Sequence, residues 1–220
     1  MRAVYNKIIG NREERKAMNE LTAFLKTRKK ANLTIVAINV LVFVIFSIIG
    51  NTEDAQFMLA HGACFAPLVE EGEVYRLFTA MFLHFGVEHL IGNMLLLIFL
   101  GDTLERVVGP VRYLMIYLLG GLGGNVLSCY IAIRQKNYAV SAGASGALFA
   151  VIGALVYLVL RKKGDVEEIS GKRLLLMAAL SIAQGFTESG IDGYAHIGGF
   201  LCGVLLSVFV ARCGKKDEKR

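Results

Sequence analysis

Six apolar runs set the strongest limit on what this chain can fold into. Of its 220 residues, 55% are hydrophobic and only 19% are charged, which leaves too little polar surface for a soluble domain of this size. The runs lie at 33–50, 78–101, 111–133, 139–160, 173–186 and 193–211. Most reach the roughly 17–25 residues that a membrane-spanning helix needs, and the fifth is the shortest. The sequence predicts an all-α integral membrane protein, a compact bundle of six transmembrane helices.

The distribution of positive charge predicts the orientation of this bundle. The net charge of +6 would by itself fit a nucleic-acid partner, but the charges follow the segments between the apolar runs. With both termini cytoplasmic, 21 of the 24 Lys and Arg residues lie inside, and only Arg76, Arg134 and Lys136 lie outside. The positive-inside rule favours this orientation. We therefore expect a multi-pass protein of the cell membrane, in contact with the lipid bilayer and with no nucleic-acid partner.

The chain divides into a basic cytoplasmic segment (1–30), a membrane domain (31–212) and a short cytoplasmic tail (213–220). The first apolar run is interpreted as a retained span, because the segment before it is long and charged and no small-residue cleavage pattern follows. The cysteine spacing indicates no metal site, and we expect no cofactor. A bridge between Cys64 and Cys129 is allowed by the topology and is left open, as is the oligomeric state.

Ser145 stands in the sequence Gly-Ala-Ser-Gly (residues 143–146) near the start of the fourth run. A single serine in a membrane helix usually donates back to a carbonyl one turn earlier. Here Gly143 and Gly146 remove bulk around the hydroxyl and leave backbone N–H groups open at a helix start, where negative charge is stabilised. Ser145 is therefore a candidate nucleophile, with plain packing as the alternative.

His196 lies near the start of the sixth run, followed by Ile-Gly-Gly. An ionisable side chain within a span is a functional candidate by default, although a histidine bonded for packing is the simpler alternative. Gly199 and Gly203 share one helix face with it, and that face can press against the fourth span and bring His196 near Ser145. Phe149, one turn after the serine, is a candidate to stack on the imidazole.

His89 and Asn93 are four residues apart and share one face of the second span. They are candidates for the donors that stabilise an oxyanion, with polar contacts between helices as the alternative. No Asp or Glu is expected at the depth of Ser145 and His196. The sequence therefore predicts a Ser–His dyad without a buried carboxylate, which avoids the desolvation of a charge in hydrocarbon.

These residues closely resemble the rhomboid family of intramembrane serine proteases, over about residues 60–212. The resemblance rests on the strings around Ser145 and His196, and on Phe-Leu-His ending at His84 together with His89 and Asn93. Residues 100–109 are similar to the turn that follows the family's second span. Tyr-Arg at 75–76 replaces the usual Trp-Arg, and Phe149 stands where relatives often have Tyr.

The resemblance implies six helices, with Ser145 as nucleophile and His196 as general base. It implies an oxyanion held by His89, Asn93 and the Ser145 N–H beside Gly143, and it implies that His84 lines a water-filled cavity. The function expected is cleavage of single-pass membrane proteins near the outer end of their helices. The alternatives are a catalytically silent membrane chaperone or adaptor of the same fold, and a six-helix transporter, whose repeat symmetry and intramembrane charges are not seen.

Overall fold

The fold is helical throughout the part of the chain that the structure describes. The computed structural model describes residues 16–20, 22–162, 170–187 and 190–217. Within these ranges there is no strand, and one isolated bridge joins Cys64 and Ser141. The predicted cytoplasmic segment 1–30 and tail 213–220 lie partly outside the described residues. The all-α prediction is confirmed.

Six helices of 17 residues or more make up most of the described chain. They are α1 (Lys30–Ile49), α2 (Gly86–Val108), α3 (Pro110–Gln135), α4 (Ser145–Lys162), α5 (Gly171–Thr187) and α6 (Gly193–Asp217). Among the described residues, α1, α2 and α3 are long and apolar enough to cross a membrane. The apolar parts of α4 and α6 are shorter, Ser145–Arg161 and Gly193–Phe209. The helices fit a multi-pass membrane protein, and the count of six spans stays a prediction.

α4 is the central helix, and α3 and α6 pack directly on it. All residues from 146 to 156 are buried, as expected for a helix that is apolar on every side. The outer helices turn large apolar side chains away from the bundle; Ile48 is 78% exposed and Leu205 is 59% exposed. Such an apolar outer surface is typical of contact with lipid.

Carboxylates of α2 hold the beginning of α1 at what we call the lower end of the bundle, where α1 begins and α2 ends. Asp102 Oδ1 accepts the backbone N–H of Lys29 at 2.5 Å, and Glu105 Oε2 accepts that of Asn32 at 2.7 Å. Arg28 forms an ion pair with Asp102 at 3.3 Å. The first N–H groups of a helix lack partners within the helix and form its positive end, so the two carboxylates stabilise α1.

α2 contains a π-helical turn, Leu97–Gly101, at the point where Asn32 of α1 packs against it. Asn32 Nδ2 donates to the carbonyl of Leu97 at 3.0 Å, and its Oδ1 accepts from the Tyr113 hydroxyl at 2.7 Å. A side chain that enters the hydrogen-bond ladder of a helix is a recognised cause of such a turn. A side chain on Gly101 would collide with the Asn32 amide.

The connection from α1 to α2 forms short helices at the upper end, where α2, α4 and α6 begin. They are Ala55–Ala60, Ala66–Glu70 and Arg76–Thr79, followed by a 3-10 turn, Ala80–Phe82. The buried Arg76 side chain organises this connection, because it donates to the carbonyls of Leu59 at 2.7 Å and Ala63 at 2.9 Å. The prediction that the second span begins at 78 is wrong: residues 83–85 are not helical, and α2 begins after them.

Residues 139–144 are apolar except for Ser141 and are not helical, so the predicted start of the fourth span at 139 is also wrong. Ser141 exchanges two backbone hydrogen bonds of 2.8 Å with Cys64. The N–H of Gly143 donates to the carbonyl of Ala80 at 2.9 Å. These partners satisfy the segment without a helix, and α4 begins only at Ser145.

Candidate active site

Ser145 is the first residue of α4, and the backbone in front of it is unusual. Gly143 has a φ of +142°, a conformation that residues with side chains rarely adopt. The first turn of the helix is closed by the N–H of Leu148, which donates to the carbonyl of Ala144 at 2.9 Å. The N–H groups of that first turn have no carbonyl partner within the helix. The serine hydroxyl therefore lies beside backbone donors at a positive helix end.

His196 lies in the first turn of α6, with its ring flat against that of Phe149. The two ring centroids are 4.1 Å apart and the planes differ by 9°. His196 is 6% exposed, and within the described part of the chain its buried Nδ1 has no hydrogen-bond partner. Because Phe149 follows Ser145 by one turn, the stack holds the imidazole beside the face of α4 that carries the hydroxyl.

The contact between α4 and α6 is close enough for their backbones to touch. A Cβ added to Gly199 would collide with the backbone of Gly146. A Cβ on Gly203 would likewise collide with α4 one turn further along. The prediction that glycines of the sixth run press against the fourth is confirmed. This contact brings Ser145 and His196 together at the upper end.

His89 and Asn93 lie one turn apart on α2, and Gly143 packs against the ring of His89. A Cβ on Gly143 would lie 2.9 Å from His89 Nε2 and 3.8 Å from Ser145 Oγ, so imidazole and hydroxyl face the same point. Asn93 Nδ2 donates to the carbonyl of His89 at 3.0 Å. An amide nitrogen carries two hydrogens, so the second is left for another acceptor.

One cavity of about 540 Å³ brings the predicted residues together between α2, α4, α5 and α6. The predicted site residues on its wall are Ser145, His196, His89, Asn93, Gly143 and Phe149. A water molecule occupies about 30 Å³ in the liquid, so the cavity has room for water beside a peptide segment.

His84 is set back from this wall. Its ring makes an edge contact with that of His89, with centroids 5.3 Å apart, and it is 1% exposed. Its Nε2 accepts a long hydrogen bond of 3.4 Å from the backbone N–H of Ala144. The resemblance implies a lining position instead. The difference arises because the ring packs against His89 and against the backbone that leads into Ser145.

Asp192, which the sequence reasoning missed, lies on the cavity wall four residues before His196. Its Oδ1 accepts the N–H of Ala195 at 2.9 Å, so it caps the first turn of α6. The expectation of a site with no carboxylate at its depth is corrected by this residue, which precedes the helix and still lines the cavity, and by Glu88 of α2 on the same wall. An Asp just before an apolar run is a helix-start signal that would have found it.

Cys64 and Cys129 are free thiols in contact at the upper end. Their sulfurs are 3.2 Å apart and both side chains are buried. The hydrogen bond with Cys129 and the burial of the thiol raise the pKa of Cys64. The bridge that the sequence left open is therefore not formed in this structure.

The helices and their apolar outer surface place this protein in the class of multi-pass membrane proteins. The cavity with Ser145 and His196 gives it a polar site among those helices. The comparison with known proteins narrows the class. The pattern of the rhomboid domain matches residues 71–213, and the chain belongs to the rhomboid family.

Several relatives are similar over most of the chain. The rhomboid protease GluP of Bacillus subtilis (strain 168) is 32% identical over 192 residues, which cover 87% of this chain and 37% of GluP. The putative rhomboid protease YdcA of the same organism is 34% identical over 152 residues, 69% of this chain and 73% of YdcA. RHOMBOID-like protein 1 of Arabidopsis thaliana is 39% identical over 148 residues, 66% of this chain and 37% of that protein. The chain thus spans little more than a third of the length of GluP.

Proposed function

We propose that this protein is an intramembrane serine endopeptidase that hydrolyses peptide bonds in or near transmembrane segments of other membrane proteins. The observation that carries the proposal is the shared cavity wall of Ser145 and His196, with the imidazole stacked on Phe149 one turn beyond the serine. Membership of the rhomboid family and the similarity to proteins named rhomboid proteases support it.

In the proposed first step, Ser145 Oγ attacks the carbonyl carbon of the substrate while His196 takes the hydroxyl proton. The stack against Phe149 keeps the imidazole in one plane during this transfer. The proton then passes from His196 to the leaving amine, and an acyl-enzyme ester remains on Ser145. Water that enters through the cavity then attacks the ester carbonyl carbon while His196 takes its proton. The ester bond breaks, His196 returns the proton to Ser145 Oγ, and the carboxylic acid product leaves.

The charge on the tetrahedral oxygen needs donors that are already in place. The backbone N–H of Ser145, the free hydrogen of the Asn93 amide and the ring of His89 meet this need, because Gly143 lets His89 and Ser145 face one point. Each preorganised donor in a dry site is worth about 2.7–4 kcal/mol. The proposed role of His84 is to hold His89 and the backbone before the serine.

We further propose single-pass membrane proteins as substrates, and a cell-membrane location with the cavity open to the extracytoplasmic side. The positive-inside rule supports this orientation, because only three of the 24 Lys and Arg residues, Arg76, Arg134 and Lys136, belong to the segments expected outside, at the upper end. A helical substrate has to unwind locally to expose its carbonyl, so residues with low helix propensity at the cleavage site are favoured.

The test is fluorophosphonate labelling and cleavage of a membrane-embedded substrate by the purified protein. Ser145→Ala and His196→Ala should each lower turnover on the order of 10³-fold or more, and the double variant should be no worse than either, because members of one catalytic unit are not additive. Ser47→Ala is the matched control, a serine on the exposed face of α1. Label on a residue other than Ser145, or activity of Ser145→Ala within tenfold of wild type, would reject the mechanism.

Asn93→Ala separates the oxyanion role from simple packing. Two other donors remain, so turnover should fall by about 10²-fold rather than disappear, with little change in KM. Normal turnover combined with a lower melting temperature would show that Asn93 serves only as a polar contact within α2.

The second candidate is a catalytically silent rhomboid-like chaperone or adaptor. The rhomboid-like names of the Arabidopsis relatives keep it open. If the protein is a chaperone or adaptor, Ser145→Ala should leave its cellular effect unchanged. If the protein is a protease, the same variant should lose that effect.

A further inference from the structure

Asp192 joins three separate parts of the bundle through one carboxylate. Its Oδ2 accepts the hydroxyl of Ser128 on α3 at 2.6 Å and the hydroxyl of Ser141 at 2.9 Å. Its Oδ1 accepts the N–H of Ala195 in the first turn of α6 at 2.9 Å. We propose that Asp192 is a positioning residue for the hydrolysis proposed above, holding the turn that carries His196 against the segment that leads into the nucleophile.

The connections from Asp192 to the two proposed catalytic side chains are short. Ser141 is four residues before Ser145, and its backbone is fixed on the other side by the two bonds to Cys64. The carbonyl of Asp192 accepts the N–H of His196 at 3.1 Å. The carboxylate thus sets the spacing between two otherwise separate chain segments. A displacement of about 1 Å in such a site can lower the rate about 10²-fold.

The chemistry of the three bonds calls for a carboxylate. An ionised carboxylate accepts on both oxygens, while an amide offers only one oxygen, and all three partners of Asp192 are donors here. Bonds to an ionised acceptor are shorter and stronger than neutral ones, which fits the 2.6 Å distance from Ser128 Oγ. An apolar side chain would keep none of these connections.

A capping role alone is the competing explanation, and Asp54 is its matched control. Asp54 accepts the N–H of Gln56 at 3.0 Å at the start of Ala55–Ala60, in the same way that Asp192 caps α6. Its carboxylate is exposed and bonds within its own turn. Loss of a helix cap lowers the melting temperature in either case. Only Asp192 also joins α3, residues 139–144 and α6.

The experiment compares turnover, KM and melting temperature of Asp192→Ala and Asp54→Ala in detergent with an embedded model substrate. Asp192→Ala should lower kcat about 10- to 100-fold, consistent with a misplaced catalytic group, with KM within about twofold. Asp54→Ala loses only a cap, so it should lower the melting temperature less than Asp192→Ala does and keep kcat. Equal kcat values for the two variants, or a kcat of Asp192→Ala within twofold of wild type, would overturn the proposal.

Two further variants keep the proposal testable if Asp192→Ala does not fold. Ser128→Ala with Ser141→Ala removes the bonds between segments and leaves the cap in place, so kcat should fall at least fivefold; an unchanged kcat would overturn the proposal. In Asp192→Asn the amide can bond to the serine hydroxyls in the reverse direction, because a hydroxyl both donates and accepts. The kcat of Asp192→Asn should exceed that of Asp192→Ala at least fivefold. Equal kcat values for these two variants would mean that the loss of activity follows from the lost charge, and would reject the positioning role.

The inference depends on the proposed function, and the two fail differently. If wild type is no faster than Ser145→Ala, the protease proposal is rejected together with the role of Asp192. If wild type is active and the Asp192 variants keep its kcat, the protease proposal stands and only the positioning role is rejected.

Discussion

The contact between α4 and α6 and the packing of α5 on those two helices are built in different ways. α4 and α6 meet through glycines, and Gly146 and Gly199 bring their backbones together. α5 meets the same helices with few buried side chains, Leu174 and Ala178 among its described residues, while Leu180 is 62% exposed. The first contact holds the serine and the histidine, and α5 contributes Ser181 and Gln184 to the cavity wall.

The difference shows where rigidity and movement are located. In lipid there is no hydrophobic drive between helices, so tight association depends on small residues that allow close approach. The α4–α6 contact has them along its length, whereas α5 has a glycine at each end, Gly171 against the Val159 side chain and Gly185 against Gly193, with the buried Ala178 between them. Elements with few buried contacts open most easily. The α5 edge is therefore the expected entry for a substrate helix.

Gly199→Leu should give the largest effect, because it disrupts the tight contact between α4 and α6. A side chain at this position meets the backbone of Gly146, which cannot move aside. We expect loss of cleavage and of the folded state, measured by turnover and by thermal unfolding in detergent. Gly92→Ala is the control for unfolding alone, since a Cβ there meets nothing within 4 Å while the residue itself lines the cavity. Wild-type melting and turnover in Gly199→Leu would show that α4 and α6 are not in backbone contact.

Phe186→Ala tests the looser packing of α5 and should have an intermediate effect. The Phe186 ring is 54% exposed and meets the ring of Tyr194 edge-on, with centroids 5.2 Å apart, at the upper end of α5. Such an aromatic pair contributes about 0.5–1.5 kcal/mol. Removing it should raise the cleavage rate of an embedded substrate several-fold and lower the melting temperature slightly.

Two controls accompany this prediction. Tyr194→Ala removes the same ring pair, so the double variant with Phe186→Ala should be no faster than either single variant. A soluble, unstructured substrate should gain less, because it reaches the cavity from the water side. If Phe186→Ala is folded and slows cleavage of the embedded substrate, the ring shapes the substrate site and the entry lies elsewhere.

Leu180→Ala should have the smallest effect. Leu180 is on the outer face of α5, so its truncation should change the free energy of unfolding by less than about 0.5 kcal/mol. Leu155, 0% exposed in α4, is the matched position; Leu155→Ala leaves a cavity and should cost about 2–5 kcal/mol. Equal losses measured by thermal unfolding would mean that α5 packs as tightly as α4.

The sequence predicted the helical class and the close α4–α6 contact, because both depend on local composition. It misplaced the starts of two helices, since apolar residues were counted as helical. Residues 139–144 are apolar except for Ser141 and yet bond to Cys64 and Ala80, partners that are remote in sequence. The π turn in α2 was missed for the same reason, because its cause is Asn32 of another helix.

For the candidate site, the sequence singled out the residues whose chemistry is rare in an apolar span, such as Ser145 and His196. The structure places both on one cavity wall. The carboxylate of Asp192 was missed because it stands outside the apolar runs, and its meaning depends on hydroxyls from Ser128 and Ser141 that only tertiary structure brings near. The position of His84 behind His89 likewise depends on the non-helical turn before α2.

The π turn in α2 acts as an angular offset between the two halves of one helix. Successive residues of an α-helix are rotated by about 100°, and a π turn inserts one extra residue. Above it, His89 faces the cavity; below it, Asp102 and Glu105 face the start of α1. In a straight helix of the same sequence these two directions could not both be met. Deleting one residue within 97–101 should therefore cost α2 one of two sets of contacts. Either His89 no longer faces the cavity, or Asp102 and Glu105 no longer bond to the start of α1.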